Sequence, residues 1–286
     1  MKKEYKIALL IVTTLTLFCC SNQTEENDLT KDNLKGEIKS FTVFSYKAEN
    51  RFGKVEKGIR EKDFDLDNDL QKKYDENKNI IEKNHYNLDG SLSFKVTYKY
   101  DENGNQIEEI SYKSDGSMTS KNIYKYDEKQ KKILFSNYDS NGSLFCKSNY
   151  KYDDNGSEIE EISYNSDGSI NWKSTNKYDE NQNKIEQNTY NPDGSLASKL
   201  TYKYDKKKNL IEQNHYESDG RLSSKWNYKY DEKENPIEEI YSRFDSNLTI
   251  KKTYEYEFDK QGNWIKKIKF ENNTPTYILE REFEYY

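Results

Sequence analysis

The sequence predicts an all-β fold, an elongated antiparallel β-meander built from 26-residue two-strand repeats. The sheet is expected to twist or curl strongly, with a single layer as its simplest form. Three observations carry this. Tyr-Asp pairs recur at a constant spacing of 26 from Tyr74-Asp75 to Tyr230-Asp231. A second marker, Asp89-Gly90 through Asp219-Gly220 with variants Asn141-Gly142 and Asp245-Ser246, runs at the same period half a unit away. Between the markers, apolar and polar residues alternate with the period of two that a strand imposes. Periods of this length mark stacked supersecondary units.

The turns set the register. Asn191-Pro192-Asp193-Gly194 puts Pro at the second position of a type I turn and Gly where a left-handed residue is needed. That hairpin loop pairs Asn191 with Ser195 and hence Tyr190 with Leu196. Asp101-Glu102-Asn103-Gly104 likewise pairs Tyr100 with Gln106. Leu92, Phe94, Val96, Tyr98 and Tyr100 then share one face, and Ser93, Lys95, Thr97 and Lys99 the other. The same sorting adds Tyr86, Tyr112, Tyr138, Tyr164, Tyr190 and Tyr216 to the aromatic face, with one Ile per unit, Ile81 to Ile237, opposite. Roughly 18 strands at about 4.8 Å spacing would extend some 80 Å unless the sheet curls. Regular repeats cover about 70–257. Degenerate units at Leu34–Asp69 and Phe258–Tyr286, the latter with Trp264 and Pro275, are expected to cap the edges. No helical period is visible beyond the N-terminal stretch.

Residues 1–19 read as a signal peptide. Lys2, Lys3 and Lys6 precede the apolar run Ile7–Phe18, which is shorter than the roughly 20 residues a spanning helix needs. Leu17-Phe18-Cys19-Cys20 resembles the lipobox of bacterial lipoproteins, which implies lipid attachment at Cys20 and a mature chain beginning there. Cleavage removes three Lys and one Glu, so the net charge moves from −6 to −8. The lack of Asp after Cys20 suggests the outer membrane, with the protein periplasmic or surface-exposed. Residues 20–33, polar and acidic, read as a flexible tether, and 34–286 as one repeat array.

A net charge of −6, from 46 Lys+Arg against 52 Asp+Glu, argues against a nucleic-acid partner. Two His and three Cys leave little for a metal or redox centre, and Cys146 would be the one free thiol after lipidation.

The repeat Tyr-x-Tyr-Asp-x-x-Gly-Asn, clearest at Tyr98–Asn105, resembles the YD repeats of Rhs-type and wall-associated bacterial proteins. The paired Tyr-x-x-Asp-Gly-Ser-Leu turn is similar to the hairpin repeats of MORN-like antitoxin proteins. The resemblance covers about residues 70–265 and implies a repeat-containing surface lipoprotein of Bacteroidetes type. Its motifs are turn chemistry, so they specify fold rather than activity.

Catalytic and metal patterns read as structural. His85 and His215 stand five repeats apart, too far to share a metal. Asp65, Asp67, Asp69 and Glu76 match the spacing of a calcium loop, but Leu70 stands where its Gly belongs. Glu82, Glu108, Glu160, Glu186, Glu212 and Glu238 are expected on the aromatic face at about 9.6 Å intervals, a spacing that glycosidase carboxylates also show. A ladder that repeats without a unique centre marks structure, and the chain is read as no enzyme, with no cofactor. What remains is a binding face of Tyr98, Tyr100, Tyr124, Tyr150, Trp172, Tyr202, Trp226 and Tyr228, suited to a glycan or a protein partner. The alternatives are a ligand-free envelope spacer and a toxin-immunity-like scaffold. The protein is expected to act as a monomer, held to the membrane by its lipid.

Overall fold

The computed structural model describes residues 27–62 and 69–286. The signal peptide, Cys20, and Asp65 and Asp67 of the calcium-like spacing lie outside the described residues.

Among the described residues, one four-residue helix, α1 (Asp28–Lys31), precedes nineteen strands. They are β1 (Ile38–Arg51), β2 (Lys54–Arg60), β3 (Leu70–Tyr74), β4 (Ile80–Tyr86), β5 (Leu92–Tyr100), β6 (Gln106–Lys113) and β7 (Met118–Tyr126). Then follow β8 (Lys132–Asp139), β9 (Leu144–Tyr152), β10 (Glu158–Asn165), β11 (Ile170–Tyr178), β12 (Lys184–Tyr190) and β13 (Leu196–Tyr204). The last are β14 (Leu210–Glu217), β15 (Leu222–Tyr230), β16 (Pro236–Arg243), β17 (Leu248–Phe258), β18 (Trp264–Glu271) and β19 (Thr274–Tyr285). Successive strands from β3 to β19 form antiparallel hairpins, as the repeat requires.

The meander is neither open nor merely curled. It closes. β1 pairs with β3 from Ser40↔Lys73 to Val43↔Leu70 and with β19 from Ile38↔Tyr285 to Lys47↔Tyr277. The degenerate first unit, expected as an edge cap, is the strand that joins both edges into an 18-strand barrel. Closure removes the unpaired edges that a long sheet would expose. At about 4.8 Å spacing and ~40° tilt, 18 strands give a backbone radius of roughly 18 Å. β2 stays outside the ring, paired with the far part of β1 from Ala48↔Lys57 to Arg51↔Lys54. That hairpin overhangs the rim, with Phe52 wholly exposed at its tip.

The Asp-Asn-type turns after each Tyr-Asp pair line one rim, here the tyrosine rim, and the Asp-Gly turns line the other. Asp101 shows how the first type is built. Its N–H donates to Asn105 O at 2.9 Å, and its Oδ1 accepts from the Asn103 and Asn105 amides at 3.0 and 2.8 Å. Gly104 takes φ 79, yet Lys78, Gln130, Gln182, Lys208 and Glu234 hold the same left-handed position at φ 61–68.

The turns also hide bulges. Tyr100↔Gln106 and Tyr190↔Leu196 pair as the turn chemistry predicts. One step further, Lys99 pairs with Glu108 and Thr189 with Ser198, leaving Ile107 and Ala197 unpaired. Each bulge reverses the face of the strand beyond it. Tyr86, Tyr112, Tyr138, Tyr164, Tyr190 and Tyr216 therefore lie with the lysines, not with Tyr98: Tyr112 opposes Lys95, Tyr138 opposes Lys121 and Tyr164 opposes Lys147. The glutamate ladder moves with them, because Lys99 opposes Glu108.

Which face is inside follows from the N-terminal segment. Residues 27–33, expected as tether, are instead docked, together with Leu34. Asn27 caps α1 by accepting from Thr30 N–H at 3.1 Å, and Leu29 and Leu34 are buried with Ile38, Phe41, Val43, Leu70, Tyr74 and Leu279. Leu29 N–H donates to Lys78 O at 3.4 Å, and Asn33 Nδ2 to Lys233 O at 3.3 Å. Those two turns lie six strand spacings apart, about 29 Å along the sheet. Five residues extend at most about 17 Å, so both turns are reached only where the sheet curls inward around the segment, more tightly than its mean radius. Its contacts, Tyr74, Tyr100 and Lys72, belong to the aromatic face, so that face lines the lumen.

Candidate functional site: the inner wall

The inner wall is organised by its tyrosines. Ile80 opposes Tyr74 next to the bonded pair Asp75–Asn79, so its own N–H and C=O point toward β5. The β4–β5 ladder, however, ends at Glu82↔Thr97. Tyr100 fills the gap, its hydroxyl donating to Ile80 O at 2.8 Å. The contact repeats from Tyr126 to Gln106 O, Tyr152 to Lys132 O, Tyr178 to Glu158 O, Tyr204 to Lys184 O, Tyr230 to Leu210 O and Tyr256 to Pro236 O, at 2.7–2.9 Å. The tyrosine of each Tyr-Asp pair from Tyr100 to Tyr230, and Tyr256 ahead of Glu257, is thus a staple between strands, while Tyr74 donates to the Asp32 carboxylate instead. Burial pushes the Tyr126, Tyr178 and Tyr230 hydroxyls up to about 12.

The predicted binding residues all reach this wall, in different states. The Tyr100 hydroxyl has one proton to share between Ile80 O and the Asp28 carboxylate, each 2.8 Å away. Tyr124 packs on Phe135 with centroids 5.5 Å apart, and Trp226 on Tyr241 at 4.7 Å. The Lys132 ammonium lies 4.0 Å from the centre of the Tyr150 ring. Tyr202 is buried with its hydroxyl 3.3 Å from Gln187 Oε1, while Tyr98, Trp172 and Tyr228 are half-buried. Phe94, on the same wall, is 39% exposed, so the lumen holds solvent away from the N-terminal cluster.

Sequence reasoning missed the polar part of the wall. On β9–β12, Ser148, Ser163, Ser174 and Asn176 are buried where neighbouring units carry larger side chains. Asn176 stands where Tyr98, Tyr124 and Tyr150 stand in other repeats, and that break in the Tyr-x-Tyr-Asp pattern was the available signal. Lys132, Glu158 and Lys184 occupy one position in three successive units. Burial pushes the Glu158 carboxyl up, against the pull of Lys132, and pushes the Lys184 ammonium down, against Glu158 and Glu161. Cys146 is half-buried on this wall, its thiol raised by burial and then by Glu161.

The outer wall is ionic. Glu108 sits 2.6 Å from Lys99 and 2.7 Å from Lys121, and Glu160, Glu186, Glu212 and Glu238 each bridge two lysines in the same way. Lysine hydrogen bonds hold Glu186 and Glu212 down to about 2. The ladder expected beside Tyr98 is therefore on the opposite surface, with every carboxylate already neutralised.

Both histidines face the lumen, ten strands apart in a ring of 18, which keeps them on opposite sides; His85 stacks on Phe94 at 4.0 Å. Asp69 of the calcium-like spacing is buried against Arg60 and Ser45. Among the described residues no group of three or more His, Cys, Asp or Glu is placed to hold a metal.

No protein-family model matches the chain, and no curated protein matches it in sequence. Solved structures similar to it include a porin-like protein from Bacteroides uniformis, 11% identical with a TM-score of 0.42, covering 87% of this chain and 98% of that one. A porin-like protein from Bacteroides vulgatus is 11% identical with a TM-score of 0.35, covering 87% and 99%. The Photorhabdus luminescens Tc holotoxin pore is 11% identical with a TM-score of 0.20; 81% of this chain aligns, to 17% of that one. Likenesses this remote say nothing about what the chain does.

Proposed function

We propose that this is a lipid-anchored cell-envelope protein whose barrel is a water-borne, non-enzymatic binding module, taking a protein segment or a glycan against its inner wall. The division of the two walls carries the reading. A single Lys or Arg facing lipid at mid-bilayer costs about 2–4 kcal/mol, and this outer wall carries Lys–Glu–Lys bridges around much of its girth. The rings instead line the inner wall, where Phe94 is 39% exposed. Anchoring rests on the lipobox-like Leu17–Cys20.

The test uses the 21–286 fragment. It should stay soluble without detergent, and it should enrich one envelope protein stoichiometrically or saturate on a glycan array. Detergent dependence would overturn the water-borne barrel. A soluble fragment silent in both assays would overturn the binding role and favour the envelope spacer, a reading that the wholly structural use of the staple tyrosines supports. Enrichment of a toxin would select the immunity-type scaffold as the form that binding takes.

A further inference from the structure

The bridges of the outer wall do not present their two signs of charge equally. Lys99, Lys151, Lys177, Lys203 and Lys229 are 67–69% exposed, whereas Glu108, Glu160, Glu186, Glu212 and Glu238 beneath them are only 13–17% exposed. The second lysine of each bridge, such as Lys173 or Lys199, is 31–42% exposed. Solvent therefore meets ammoniums, with the carboxylates folded in under them. Each bridge also sets two lysines against one glutamate, which leaves one cation per unit in excess. The chain as a whole carries −6. Much of the acid sits on the turns, at Asp101-Glu102, Asp153-Asp154, Asp179-Glu180 and Asp231-Glu232 on one rim and in the Asp-Gly pairs on the other. A positive belt runs between two acidic rims.

The belt has a measurable run and a step. Bridges through Glu160, Glu186, Glu212 and Glu238 follow one another from Lys151 on β9 to Lys251 on β17, an arc of about 38 Å at ~4.8 Å per strand. It breaks between β7 and β9, where Leu134 faces Lys125 in place of a glutamate. Within the arc the same groups return every second strand, about 9.6 Å. Half-buried tyrosines keep the same step: Tyr164, Tyr190 and Tyr216 oppose Lys147, Lys173 and Lys199. The Lys147 and Lys199 ammoniums lie 5.7 and 5.9 Å from the centres of the Tyr164 and Tyr216 rings.

These features select a partner by its chemistry. The exposed cations call for an anion. Their excess, one per ~9.6 Å, is far sparser than the charge of duplex DNA, one per ~1.7 Å, which would be left mostly unpaired. A tyrosine beside each cation offers an apolar ring body with a wet hydroxyl, a surface suited to the C–H face and hydroxyls of a sugar. The step itself is on the scale of a disaccharide in an extended chain. We infer that the outer wall from β9 to β17 is a docking belt for an anionic polysaccharide carrying one carboxylate per disaccharide. The lumen takes no part, so the inference goes beyond the inner-wall reading and does not depend on it.

The probe is fluorescent hyaluronan, a polymer with one uronate per disaccharide, titrated into the full-length protein at low salt beside neutral dextran and duplex DNA. Saturable binding is expected for hyaluronan alone, weakening as salt rises. Its tetrasaccharide, which covers only two steps, should bind at least tenfold more weakly than the polymer. Lys177→Gln combined with Lys203→Gln should weaken binding at least tenfold, as should Tyr190→Ala combined with Tyr216→Ala. Lys177→Arg with Lys203→Arg should retain it, and Trp172→Ala on the inner wall should leave it unchanged. No saturable binding, equal affinity for duplex DNA, or binding lost on Trp172→Ala but kept by the Lys177→Gln and Lys203→Gln protein would overturn the belt. An envelope protein still enriched by that double variant would leave the inner-wall module standing whatever becomes of the belt.

Discussion

Replacing the staple tyrosines by phenylalanine removes one hydroxyl each and keeps the ring, so no cavity opens in the wall. Tyr126, Tyr152, Tyr178, Tyr204 and Tyr230 each bond a carbonyl of the neighbouring strand at 2.8–2.9 Å. An internal hydrogen bond contributes about 0.5–1.5 kcal/mol, and more where the abandoned carbonyl stays dry. Each single change should therefore cost about 1 kcal/mol. The staples stand two strands apart, about 9.6 Å, far enough for their effects to add. All five together should cost about 5 kcal/mol, the scale of a whole domain's stability. Urea unfolding of each variant reads this as a falling midpoint at constant slope. Tyr112→Phe is the control: its ring lies under Lys95 on the outer wall, and it should shift stability by less than about 0.5 kcal/mol. Equal losses at Tyr112 and the staples, or single staple variants unchanged from the parent, would refute the account of why tyrosine recurs.

Gln130 holds φ 61 at a turn where other units use glycine, so Gln130→Gly should stabilise by about 1 kcal/mol in the same unfolding assay. Glu186 and Glu212 fall from 4.5 to about 2 in the fold. A depressed carboxylate stabilises above its unfolded value, so their contribution is complete above about pH 4.5 and drains away as pH falls toward 2. Because Lys177 and Lys203 are about two-thirds exposed, each pair is worth only about 1 kcal/mol, and Glu212→Gln should flatten the acid limb of a stability–pH curve by that much. Leu279→Ala opens the packed seam beside β1 and should cost about 2–5 kcal/mol by calorimetry or urea. Cys20→Ser should move the protein from the membrane to the soluble fraction of fractionated cells.

The period and the two turn markers were enough to read the strands of the regular repeats, their antiparallel pairing and first pairs such as Tyr100–Gln106 and Tyr190–Leu196, because turn geometry is local. They could not reveal the bulge one step further. Nothing in Tyr190–Leu196 tells that Ala197 is skipped, yet that skip decides which wall receives Tyr112 and Glu108. Closure was illegible for a different reason: the joining strand, Ile38–Lys47, belongs to the most degenerate unit and meets Tyr277–Tyr285 from the far end of the chain. Of the site, the aromatic residues of the longer strands were legible by alternation alone. Asp28, Lys132, Glu158 and Lys184 were not, since their meaning depends on a concave surface that no single repeat possesses.

Because each 26-residue unit contributes one outgoing and one returning strand, the ring can gain or lose units without ever producing a parallel neighbour. Deleting Asp101 to Tyr126 in frame leaves β1 facing the same two partners in a ring of 16 strands, about 2 Å smaller in radius. Duplicating the same unit widens it by as much. Lumen size is thus a countable trait, inherited in steps of two strands, while the seam and its N-terminal occupant stay unchanged. A lineage carrying this barrel could widen or narrow it by unequal recombination alone, with no new side chain required.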